Sequence, residues 1–188
     1  MLGLPHLPSA LAENWPTWLL SAVLIVAAVI DGWRLRVPNW ITFPLVIGGW
    51  IYSTAYFGWE GLGWSVMGTI VGLVLLLPAY AIGGMGAGDV KLLAGVGAWV
   101  WATTTLYAFC VSAIVGGAIA VVMVLWRRDW RHHTYQFWMI VHEIFEVRDP
   151  NALAQTAARR KSAMLLLPYG IPIAIGSIAY FAWAGMLL

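Results

Sequence analysis

Two acidic residues stand apart from the rest of this 188-residue chain. Asp31 closes a long apolar run, and Asp89 ends the glycine-rich string Gly83-Gly84-Met85-Gly86-Ala87-Gly88-Asp89-Val90-Lys91 just before another. An ionisable group within an apolar span costs several kcal/mol at depth, so it marks function by default. Two carboxylates at short range cannot both ionise; they share one proton. One then acts as base toward a water and the other as acid toward a carbonyl. Such a pair titrates as a unit, so neither partner is assigned as the acid. The glycines of the string permit close backbone approach. It lacks the Lys-Ser/Thr ending of a phosphate loop.

Each aspartate also has a plainer reading. Asp89 at a helix start is a good N-cap. Asp31 is one turn from Arg34 and could pair with it. Pro38 then breaks the chain and Asn39 caps the next helix. The functional reading gains weight because both acids fall at one level of the membrane, which depends on the elements that carry them.

Those elements are apolar. Hydrophobic residues make up 62% of the chain and charged ones 10%, against about 25% charged in a soluble domain. A helix needs roughly 20 apolar residues to cross the hydrocarbon. The sequence predicts an all-α polytopic membrane protein with six spans, near Trp15–Leu35, Asn39–Phe57, Leu62–Ile82, Asp89–Trp101, Thr105–Trp126 and Ala163–Leu187. One membrane domain over 1–188 is expected, with a cytoplasmic segment at about 127–162. The first run lacks a basic lead-in and a small-residue exit, so it reads as a permanent span rather than a signal peptide. The fourth is short, as if its glycine loop dips toward a cavity.

Charge sets the orientation. The ten basic residues are Arg34, Arg36, Lys91, Arg127, Arg128, Arg131, Arg148, Arg159, Arg160 and Lys161. With both termini outside and six crossings, all ten fall on the cytoplasmic side, as the positive-inside rule requires. The first span then ends inside at Asp31 and the fourth begins inside at Asp89. Their level follows from the crossing count; their lateral closeness is assumed.

The remaining signals have bland readings. Trp15, Trp18, Trp59, Trp64, Trp99 and Trp101 near the outer ends, with Trp40, Trp126 and Trp130 near the inner, read as aromatic belts. Residues Tyr135–Val147 read as an amphipathic surface helix. His132, His133 and His142 read as solvated, since His142-Glu143 lacks the second histidine of a zinc-peptidase motif. Cys110 is the one cysteine, expected to be buried and inert, and it cannot form a Cys-based zinc site alone. No metal, cofactor or nucleic-acid partner is expected.

The strings Asp31-Gly-Trp-Arg34-Leu-Arg36-Val-Pro38-Asn39, Gly86-Ala-Gly88-Asp89-Val-Lys91 and Leu167-Pro168-Tyr169-Gly170-Ile-Pro172 resemble those of the type IV prepilin peptidases, intramembrane aspartic peptidases of the Gly-x-Gly-Asp class. The resemblance runs over nearly the whole chain. It implies that Asp31 and Asp89 are catalytic, with Gly86, Gly88, Lys91, Pro38, Asn39, Pro168, Tyr169 and Gly170 lining the site. It implies prepilin or pilin-like precursors as substrates, cut at the cytoplasmic face of the bacterial inner membrane, behind a short basic leader and ahead of a hydrophobic helix. Long members carry a further cytoplasmic segment, often with Cys-x-x-Cys pairs, and methylate the new N-terminus. This sequence resembles the short tight-adherence type, in which methylation is not expected. Pro168 and Pro172 also read as first-turn and kink prolines.

Two other readings remain. A presenilin or signal-peptide-peptidase relative would pair Gly-x-Gly-Asp with Tyr-Asp and Pro-Ala-Leu elements; here Ile30 precedes Asp31 and the last element is Pro-Tyr-Gly. A small transporter would use the two acids as a proton relay, but such folds show internal repeats, and none is evident.

Overall fold

The computed structural model describes residues 14–81, 84–127 and 168–187. Every regular element among them is α-helical: α1 (Trp15–Arg34), α2 (Asn39–Ala81), α3 (Ala87–Arg127) and α4 (Gly170–Trp183). α1 to α3 are each long and apolar enough to cross a membrane.

α1 starts with Pro16 in its first turn, where a missing N–H costs nothing. It stops at Leu35, which turns into the left-handed region (φ 51°) and donates its N–H to the Asp31 carbonyl at 2.7 Å. The buried stripe of α1 is Thr17, Leu20, Ser21, Leu24, Ala27 and Asp31. That spacing is one face of a helix. Asp31 therefore points into the bundle because it continues the face that packs.

α2 and α3 are each broken at one residue. Gly58 (φ 66°) interrupts α2 and Trp101 (φ 62°) interrupts α3. The sequence placed loops at 58–61 and 101–104; the structure shows single-residue breaks instead. Gly58 adopts that φ without steric cost, having no Cβ. Trp101 adopts it as an ordinary residue, an uncommon conformation. Its ring meets Phe57 edge-on at 5.3 Å, so the two breaks pack side by side.

The first part of α3 is the centre of the bundle. Leu92, Leu93, Val96 and Ala98 are fully buried, as expected of a helix apolar on every side. Between apolar helices in lipid, close packing and hydrogen bonds must substitute for hydrophobic driving force. Gly68 and Gly97 meet backbone to backbone, Gly72 lies against the Leu93 carbonyl, and Gly49 against Ala98. Ser65 Oγ donates to the Ala98 carbonyl, Trp50 Nε1 to Thr69 Oγ1 at 3.0 Å, and Thr17 Oγ1 to the Met186 carbonyl at 2.7 Å. α4 completes the bundle against α3 and α1, with Gly176 in contact with the Ser112 backbone.

The fourth span begins at Ala87, near the expected Asp89. Trp99 packs against protein: it is half-buried, donates from Nε1 to the Leu45 carbonyl at 2.8 Å, and stacks on Tyr52. Cys110 is exposed on the outer face of α3 rather than buried. An apolar face in lipid is itself a proper place for a thiol, so hydrophobic character alone did not imply burial. The expected start of the last span at Ala163, the surface helix 135–147 and the three histidines lie outside the described residues.

Candidate active site

The site forms where three pieces of chain converge: the end of α1 with the link to α2, the glycine loop at the head of α3, and the turn before α4. Asp31 and Asp89 line one pocket of about 460 Å³ there. The lateral closeness that the sequence could not supply is thus a property of the fold. The carboxylates belong to residues only 2% and 5% exposed.

Burying a carboxylate is costly unless hydrogen bonds replace water. Each aspartate accepts a backbone N–H. Asp31 Oδ2 takes that of Gly170 at 2.8 Å, and Asp89 Oδ2 takes that of Gly86 at 3.0 Å. The partner of Asp31 is therefore the first residue of α4, not the Arg34 guanidinium one turn on. Asp89 is not a plain N-cap either. Gly86 precedes the helix, and Asp89 is its third residue reaching back to the Gly86 N–H, the reciprocal half of a capping box. The helix N-terminus also favours a negative charge there.

The glycines are required by contact. A Cβ on Gly88 would lie 2.7 Å from the Val37 carbonyl oxygen and 3.0 Å from the Val37 Cβ. The loop thus packs directly on the link between α1 and α2. A Cβ on Gly170 would lie 2.8 Å from Asp31 Oδ2. At both places only glycine lets the backbone come this near.

Lys91 ties the same region together. Its Nζ donates to Asn39 Oδ1 at 3.0 Å and sits 4.9 Å from the centre of the Phe43 ring. This joins the first turn of α3 to the first turn of α2. A cation over a ring face adds electrostatic attraction.

The pocket takes in Gly86, Gly88, Lys91, Asn39 and Pro168, all expected from the sequence. Pro38, Tyr169 and Gly170 do not line it. Pro38 offers its carbonyl to the Ile41 N–H and so starts α2. Tyr169 is half-buried beside Gly116 of α3. Gly170 acts one step back, through its N–H on Asp31. Arg34 and Arg36 do line the pocket, although the sequence reading did not count them among its site residues. With Lys91 they bring three cations to a pocket holding two carboxylates. No group of three or more His, Cys, Asp or Glu suited to a metal occurs among the described residues.

Two buried carboxylates on a shared hydrophilic pocket suit general acid–base work on a water. The chain is similar to known leader peptidases. Residues 18–121 match the model of the type IV leader peptidase family, a range that includes both aspartates. The chain is 32% identical over 133 residues to a prepilin leader peptidase/N-methyltransferase of Aeromonas hydrophila, covering 65% of this chain and 44% of that protein. It is 34% identical over 112 residues to the protein of that name from Neisseria gonorrhoeae, covering 56% and 39%. For Pseudomonas putida the identity is 32% over 121 residues, covering 60% and 40%. The chain spans less than half the length of the curated relatives it matches. No solved structure matches it significantly. On the strength of the family match, over more than half its length, the chain belongs to the type IV leader peptidase family.

Proposed function

We propose that this protein is a membrane aspartic endopeptidase that removes the short basic leader from type IV prepilin or pilin-like precursors. Asp31 and Asp89 share a proton; one activates water and the other protonates the scissile carbonyl. The observation that carries the reading is that both carboxylates, 58 positions apart in the chain, are buried and line one pocket. The family match and the names of the relatives supply the substrate class.

In this reading α2 and α3 each cross the membrane twice, turning at Gly58 and Trp101, and α1 and α4 cross once. That makes six spans with both termini outside. The ten basic residues then lie inside, in accord with the positive-inside rule, and the pocket opens toward the cytoplasmic face of the inner membrane. The rim of Gly86, Gly88, Lys91, Asn39 and Pro168 shapes the pocket, and Gly170 holds Asp31 in place. A proton relay in a transporter is the second reading, but nothing in the geometry favours it.

Co-expression with a pilin precursor tests the proposal. Leader removal, seen as a shift in mass of the precursor, is expected with the chain and not without it. An intact precursor alongside well-inserted protein contradicts it.

A further inference from the structure

We propose that the apolar groove between α1 and α4 seats the hydrophobic helix of the substrate, with that helix's N-terminal end beside Asp31. The proposal rests on the peptidase reading above and deepens it.

The groove has a cavity volume of about 860 Å³ and no charged residue in its wall. On α1 its lining is Ile25, Ala28, Val29, Gly32 and Trp33. On α4 the lining runs from Ile171 to Ala179 at the same spacing of three and four residues. Each is one stripe of a helix over about two turns, or roughly 12 Å. Two parallel stripes with a hollow between them are the shape that receives a third helix.

The hollow differs from a plain lipid-facing surface. Its wall contains Ala28, Gly32, Ala174 and Ala179, and small residues let helix backbones approach closely in a membrane. Larger side chains flank them: Ile25, Val29 and Ile175 are about half exposed and Trp33 is 83% exposed.

Adjacency to the aspartate pocket names the occupant. Gly32 and Trp33 directly follow Asp31, and Ile171 directly follows Gly170, whose N–H bonds Asp31. The same contact between α1 and α4 that holds the carboxylate also forms the end of the groove. On the other side of that contact the wall changes character. The aspartate pocket is lined by five charged residues, Asp31, Arg34, Arg36, Asp89 and Lys91. An uncharged groove that ends one residue from Asp31, beside a charged pocket, fits a chain that is apolar on one side of its scissile bond and hydrophilic on the other.

The test uses the full chain and a full-length pilin precursor in cells. A photo-reactive benzophenone amino acid replaces Val29, Ile175 or, as a control on an exposed part of α2, Val74, in a chain carrying Asp89→Asn to keep the precursor uncut. Cross-links from Val29 and Ile175 to the precursor's hydrophobic helix, several-fold above those from Val74, are expected. Cross-links instead to a second copy of the chain, to residues 128–167 of the chain itself, or to lipid alone overturn the proposal. In parallel, Ala28→Trp in the active chain should raise KM for the precursor about tenfold, the effect of one lost contact of about 1.4 kcal/mol; an unchanged KM also overturns it. Leader removal by the unaltered chain separates the two readings. If removal occurs without the cross-links, the groove assignment alone fails; if it does not occur, the peptidase reading fails and the groove with it.

Discussion

The backbone N–H of Gly170 donates to Asp31 Oδ2 at 2.8 Å, across 139 positions of sequence. Hydrogen bonds to a carboxylate are among the stronger ones, worth about 1.5–3 kcal/mol. This one fixes the rotamer of a buried acid and closes α4 onto α1.

Gly170→Ala tests it. The added Cβ would fall 2.8 Å from Asp31 Oδ2 and 3.0 Å from the Asp31 Cβ. Something must move, and the bond is the nearest thing to break. Leader cleavage is expected to fall by roughly ten- to a hundredfold, as the lost bond converts, with the protein still inserted. Cleavage rates in membranes, normalised to protein present, check this; a rate within twofold of the unaltered chain would show the bond to be dispensable.

The two loop glycines should separate by effect. Gly88 packs against the Val37 backbone, whereas a Cβ on Gly86 meets Asp89 Oδ2 at a looser 3.3 Å. Gly88→Ala is expected to lower thermal stability in detergent more than Gly86→Ala. Overpacking of this kind costs about 1–3 kcal/mol. Equal melting temperatures for the two variants would contradict the close approach at Val37.

Lys91 and Asn39 should be energetically coupled. Lys91→Met keeps the stem packed on Phe43 and removes the hydrogen bond to Asn39 Oδ1. Asn39→Ala removes the same bond from the other side. The double variant is expected to be no worse than the poorer single one, a coupling of about 0.5–1.5 kcal/mol. A melting-temperature cycle measures it, and strict additivity would mean the bond carries nothing.

Topology is open to chemical labelling. After Cys110→Ser removes the exposed native thiol, cysteines at Gly63 and Thr103 should react with an impermeant reagent from outside, and one at Trp40 should not. All three positions are exposed, and a Cβ on Gly63 meets nothing within 4 Å. Gly61 is unsuitable, because a Cβ there would strike the Ser53 carbonyl. Labelling in the reverse pattern would place the aspartates on the outer side.

The sequence reveals level here and hides lateral position. Charge counting leads one to expect Asp31 and Asp89 at one level, and the two do line one pocket; the packed stripe that Asp31 shares with Leu24 and Ala27 emerges only in the structure. Nothing local says that the two helices adjoin. That depends on glycine contacts such as Gly68 with Gly97, whose partners are distant in sequence. Gly170 shows the same limit: the motif drew attention to it, but its N–H finds Asp31 only in the folded bundle. The contacts of Trp99 and the exposure of Cys110 were hidden for a related reason. In a chain this apolar, hydrophobic character does not separate residues facing lipid from those facing protein, and Trp99 faces protein while Cys110 does not.

The central claim is that Asp31 and Asp89 act as one catalytic pair, and its most direct measurement is leader cleavage by Asp31→Asn and Asp89→Asn. Both variants keep the shape of the side chain and remove its ability to exchange a proton with water. Each is co-expressed with a pilin precursor, its level in the membrane measured, and the precursor's mass read. The account predicts no detectable cleavage by either variant at normal membrane levels, with the double variant indistinguishable from the singles. Near-normal cleavage by either one would contradict it.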